Sequence, residues 1–169
     1  MYHAVPDRIR QVPRAIRVIL ILVVGLSGCH QYDIAADIEP VYRSAKDVEA
    51  AIDAGTNQIT FGQLRIRMGS EILVLSDKAK QHPELREFAN GYSSALDVYN
   101  LAALIWQCEG GIHEHGCEDP VWPNIFASLK SLGVDTSTGP SAEEMLRDAL
   151  KVARQRQERI EDVYLRMKH

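Results

Sequence analysis

Apolar residues recur at steps of three and four along most of this chain, the spacing that lines one face of an α-helix. From residue 29 to about 42 no such period is sustained, polar side chains are frequent and Pro40 intervenes, so this stretch reads as a flexible tether. Ser44 then reads as the N-cap of a short helix in which Ala45, Val48, Ala51 and Ile52 share a face, with Gly55 as its left-handed stop. Thr60 followed by Gln63 has the form of a capping box and predicts a long helix with Phe61, Leu64, Met68, Ile72, Leu75 and Ala79 on its inner stripe.

His82-Pro83 ends that helix and begins the next, because proline disfavours helix in the residue before it yet fits a first helical turn. The next helix carries the most regular pattern of all, Leu85, Phe88, Tyr92, Ala95, Tyr99, Ala102 and Trp106, broadened by Leu96, Ala103 and Leu104, and is expected at the centre. Tyr92, Tyr99 and Trp106 read as core with their polar tips at the rim; an aromatic ligand groove is the other reading. A shorter helix holding Val121, Ile125, Phe126, Leu129 and Leu132 is expected to lie across the bundle.

A second capping box, Ser141 with Glu144, opens a last helix whose inward positions are Met145, Leu146, Ala149, Val152, Ala153, Ile160, Val163, Tyr164 and Met167. The polar stretch from Arg154 to Arg159 interrupts that face. It reads as a solvated surface, with a partner-docking surface as the second reading, and the final turns are expected to project past the body. No alternating run or hairpin turn competes with these elements. The prediction is an all-α, compact four- to five-helix bundle over residues 43–169, forming one domain with one disulfide-closed loop.

The amino-terminal stretch has a different order. Arg8, Arg10, Arg14 and Arg17 precede an uncharged apolar run from Val18 to Leu26, and Leu26-Ser27-Gly28-Cys29 closes it. The run is about half the roughly 20 residues of a membrane span, and His30, Gln31, Tyr32 and Asp33 after it are polar. This order is that of an export signal, and Leu26-Ser27-Gly28-Cys29 resembles the lipobox of bacterial lipoproteins. The resemblance implies removal of residues 1–28 as a signal peptide and lipidation of Cys29. It makes 29–42 a lipidated flexible tether and places the protein at the envelope, anchored in a lipid bilayer and facing the periplasm. His30 after the cysteine, where an Asp would resemble an inner-membrane retention mark, favours the outer membrane. An ordinary cleaved secretory peptide and a buried cytoplasmic helix are the competing readings.

Removal of 28 residues from 169 leaves 141, enough for one core. It also leaves 15 of the 19 basic and 22 of the 23 acidic side chains, a formal charge of about −7. Such a balance speaks against nucleic acid, which demands clustered Lys and Arg.

If Cys29 is lipidated, Cys108 and Cys117 remain as a pair in an oxidising compartment and are expected to form a disulfide. The same segment, Cys108-Glu-Gly-Gly-Ile-His113-Glu-His115-Gly-Cys117, holds donors for a metal site, and free thiols are a third reading. With the cysteines oxidised, His113 and His115 could still ligate copper, nickel or zinc, against the alternative of solvated loop histidines. No cofactor is otherwise implied. Catalysis would need a nucleophile with its base, a paired carboxylate or an open metal position, and the sequence carries no such signature. The expected function is therefore non-enzymatic: an accessory or scaffolding module that binds an envelope protein. A metal- or small-ligand-binding lipoprotein using the Cys108 to Cys117 loop and a cell-wall hydrolase are the alternatives.

Overall fold

The computed structural model describes residues 32–109, 121–134, 136 and 140–168. Among them lie five α-helices: α1, Ile34–Asp53; α2, Gln58–Lys78; α3, Arg86–Glu109; α4, Val121–Ser131; and α5, Ala142–Lys168. A 3₁₀ turn, Pro83–Leu85, leads into α3. Among the described residues there is no strand, so the all-helical expectation holds. The described residues from Asp33 onward form one compact unit.

The helix starts depart instructively from expectation. The tether predicted over 29–42 is overturned for residues 34–42, because α1 begins at Ile34, with Asp33 as N-cap accepting a 3.1 Å bond from the Ala36 amide. Pro40 sits inside this helix, where a proline costs about 3 kcal/mol. Full burial of Ile38 and Val41 on either side contributes about 1.5–3 kcal/mol each, which offsets that cost. Ser44 is therefore not a cap: it is buried mid-helix, its hydroxyl donating to the Val41 carbonyl at 2.9 Å. Likewise α2 opens at Asn57, whose side chain accepts from the Thr60 amide at 2.9 Å, rather than at a Thr60–Gln63 box.

Other local signals act where they stand. Gly55 has a φ of 65° and terminates α1. The Glu144 amide donates to the Ser141 hydroxyl at 3.2 Å, while the Ser141 amide donates back to the Glu144 carboxylate at 2.8 Å.

Packing follows the predicted centre. α3 packs most extensively on α5 and also on α2, while α1 lies against α2 and α5, and α4 touches α3 only lightly. Tyr92, Ala95, Val98, Tyr99, Ala102 and Ile105 of α3 have no exposed surface. Where α3 and α5 meet, a Cβ added to Gly91 would lie 2.9 Å from Cγ1 of Ile160, so the glycine sets how closely these helices approach.

Candidate functional site

Two features of the bundle fall outside ordinary apolar packing: a buried polar seam where α5 meets α1 and α3, and an apolar ridge on the outer face of α2.

The stretch from Arg154 to Arg159 is solvated at Gln155, Glu158 and Arg159, as expected, but the seam runs through it at Gln157. Gln157, in the middle of that stretch, has no exposed surface, and Glu161 is 6% exposed. The Tyr99 hydroxyl donates to Oε1 of Gln157 at 3.0 Å, and Nε2 of Gln157 donates to Oε1 of Glu161 at 2.7 Å. Lys46 of α1 donates to the other Glu161 oxygen at 3.2 Å and also bonds Glu49. Arg154 lies 3.5 Å from Glu49 and bonds Asp53, so the chain of contacts runs from the core at Tyr99 to the surface at Asp53. Burial pushes the Glu161 carboxyl above the usual carboxylate range, opposed by the Gln157 bond and by Lys46.

A second cluster closes the far end of α5, so the last turns pack on α1 instead of projecting beyond the body. Glu39 accepts from the Tyr164 hydroxyl, from Nε of Arg43 at 2.8 Å and from Nζ of Lys168 at 3.2 Å. These donors, the Tyr164 hydroxyl foremost, hold the Glu39 carboxyl at about 2. The Tyr164 ring meets the Tyr42 ring at 5.0 Å. The expectation that the α3 aromatics reach the rim is also corrected: Tyr92 and Tyr99 are wholly buried and Trp106 half-buried. The Tyr92 hydroxyl has no hydrogen-bond partner among the described residues. Phe61 packs on both Tyr99 and Trp106, with ring centroids at 6.1 and 5.9 Å, so these aromatics pack against one another.

The seam joins helices through hydrogen bonds among its own side chains. It brings together no nucleophile with a base, and its groups are spent on one another.

The ridge is different. α2 buries Phe61, Met68, Ile72, Leu75 and Ala79 toward the bundle, as its spacing predicted. On its opposite side Ile59, Ile66 and Leu73 stand 75%, 66% and 73% exposed, with Val74 at 54%. The first three are seven residues apart, two helical turns, and so form one line along the helix. Together with Val74 they are four of the seven large exposed apolar side chains among the described residues. In the sequence they form a second seven-residue repeat beside the inner one, a signal that the single apolar stripe expected of a bundle helix leaves without a role.

Three shallow surface depressions, of about 360 to 500 Å³, lie between α3 and α4, between α1 and α5, and between α3 and α5. All three are wide open to solvent; Asp53, Glu143, Arg147, Lys151 and Arg154 are among the side chains lining the second, and Glu87, Arg156 and Arg159 among those lining the third.

Of the residues predicted to carry chemistry, Cys108 is buried near the end of α3 and is engaged with a partner. Cys29, His113, His115 and Cys117, like the signal segment 1–28, lie outside the described residues. Among the described residues no group of three or more His, Cys, Asp or Glu side chains could hold a metal ion, and no helix is long and apolar enough to cross a membrane. Compared with protein-family models, with curated proteins and with solved structures, the chain matches none.

Proposed function

We propose that this chain is a bacterial envelope lipoprotein that acts without catalysis, by binding another protein through the outer face of α2. In this reading Cys29 carries the lipid after removal of residues 1–28, and the helical domain faces the periplasm, at the outer rather than the inner membrane. Cys108 and Cys117 form a disulfide that closes the segment between α3 and α4. No cofactor takes part.

The observation that carries the binding reading is the ridge of Ile59, Ile66 and Leu73. Contiguous apolar surface kept in water is unfavourable by about 25 cal/mol per Å², and where a soluble domain retains it, it marks an interaction site. The anchor reading is supported by the order of arginines, apolar run and Cys29. It also brings surface and partner together: the five steps of chain from Cys29 to Ile34 span at most about 17 Å, so a lipidated Cys29 would hold the domain close to the bilayer. Confinement of this kind raises the effective concentration of any partner on the same membrane.

Fractionation tests the anchor: the wild-type chain is expected in the membrane fraction and Cys29→Ser in the soluble fraction. Photocrosslinkers placed at Ile66 test the surface and are expected to capture protein, whereas the same probe at Arg86, exposed on α3, is not. Capture that is equal at both positions rejects the binding face.

A further inference from the structure

We infer that the occupant of the α2 ridge is a second copy of this chain, docked α2 on α2 in parallel. The inference deepens the protein-binding reading above and rests on it.

Three observations select this occupant. First, the ridge has a groove beside it with the same repeat. Gly62, Gly69 and Ser76 each follow a ridge residue by three positions, so large and small residues alternate in the a and d pattern of a helix-pairing seam. In a parallel pair related by a two-fold axis along the helices, the ridge of each copy lies over the groove of the other. An antiparallel pair sets ridge against ridge. The surface is therefore complementary to itself in one orientation.

Second, Gly62 has no reason within its own chain. It lies inside α2, where glycine weakens a helix relative to alanine, its φ is not in the left-handed region, and a Cβ built there meets nothing within 4 Å. A close helix on the outside supplies the reason that the fold does not. Gly69 differs, since a Cβ there would touch Cδ2 of Leu96 at 3.4 Å.

Third, geometry and charge agree. Lys78 at the end of α2 pairs with Asp37 near the start of α1, so the end of the ridge at Leu73 lies beside the end of the domain that leads back to Cys29. Parallel pairing puts the amino-terminal ends of both copies on the same side, as two anchors in one bilayer require. Along the seam the flanking positions are Gln58, Gln63, Arg65, Ser70, Ile72 and Asp77, and a parallel pair sets Arg65 against Ser70 and Asp77 against Ile72 of the other copy, so no like charges meet despite the acidic chain. The bilayer itself is the poorer fit: helices that lie on membranes carry a broad apolar face bordered by Lys and Arg, whereas this ridge is narrow, widened only by Val74, and its borders mix Gln63, Arg67, Ser70 and Asp77.

The test uses the full-length chain in detergent micelles and in native membranes. Sedimentation is expected to give a concentration-dependent dimer, and a short bismaleimide is expected to link Ile66→Cys to itself at least tenfold more than Arg86→Cys. Ile66→Glu and Gly62→Leu are expected to lower the dimer at least tenfold while melting at or above the wild-type temperature, since neither side chain meets the core. The inference is overturned by a monomer throughout the micromolar range, by equal linking at the two cysteines, or by protection of Ile66→Cys by phosphatidylglycerol vesicles alone. Cys29→Ser run in parallel separates the two readings. A dimer that persists after release from the membrane leaves both standing, a monomeric wild type that is still membrane-bound removes only the self-association, and a wild type absent from the membrane fraction removes only the anchor.

Discussion

The hydroxyl of Tyr99 donates to Oε1 of Gln157 at 3.0 Å across the α3–α5 interface, and neither side chain has any exposed surface. A polar pair in such a place is stabilising only while both partners are present, because the group left behind loses its hydrogen bond without regaining water.

Tyr99→Phe is accordingly expected to destabilise the domain by about 1–3 kcal/mol in urea titrations, the cost of leaving the Gln157 carbonyl oxygen unpaired. Tyr99→Ala adds a cavity and is expected to cost about 3–5 kcal/mol. A loss below about 0.5 kcal/mol for both would place this hydroxyl and ring outside the energetic core.

Two carboxylates should make stability depend on pH in opposite senses. Glu39 has its pKa lowered from an ordinary 4.5 to about 2 by the Tyr164, Arg43 and Lys168 donors. Its contribution is thus complete above pH 4.5 and is lost as pH falls toward 2. Burial raises Glu161, so its contribution is most favourable below pH 4.5 and declines as pH rises through its elevated folded value. Glu39→Gln is expected to flatten the fall in melting temperature between pH 4.5 and 2. Glu161→Gln is expected to leave stability at pH 7 equal or higher, since Lys46 keeps Glu49. A marked loss at pH 7 would mean that the Lys46–Glu161 pair outweighs its desolvation.

The interior glycines of α2 and α3 are expected to respond with opposite signs. Gly91→Ala forces a methyl to 2.9 Å from Ile160 and is expected to cost about 1–3 kcal/mol, with partial relief in the Gly91→Ala/Ile160→Ala double variant. Gly62→Ala meets open space and is expected to stabilise the isolated chain by up to about 1 kcal/mol through helix propensity. Thermal melts of the three variants check both signs.

With Cys108 and Cys117 joined, as proposed, reduction is expected to lower the denaturation free energy by about 2–3 kcal/mol, through the enlarged conformational freedom of a short closed loop in the unfolded state. Cys108→Ser and Cys117→Ser are expected to match the reduced wild type. Identical melting curves with and without reductant would rule out a structural bond.

Periodicity by itself determined the all-helical class, the central position of α3 and the inner face of α2, because a 3.6-residue repeat of large apolar side chains has one way of leaving water. It determined the Ser141–Glu144 start of α5 and the Gly55 stop of α1 as well, since those are contacts within a few residues. Leu26-Ser27-Gly28-Cys29 likewise stands as a local pattern, whose consequences remain for fractionation to measure. What needed the tertiary structure was every choice between competing costs. Pro40 argued for a break, and only the burial of Ile38 and Val41 against distant helices outweighed it. Gln157 and Glu161 look like solvated residues in the sequence, and only Tyr99, 58 positions away from Gln157, and Lys46, 115 positions away from Glu161, make them buried and paired. Ile59, Ile66 and Leu73 match a core pattern as well as their neighbours do; a helix has a single inside only once its neighbours are placed, and that placement left this line of side chains in water.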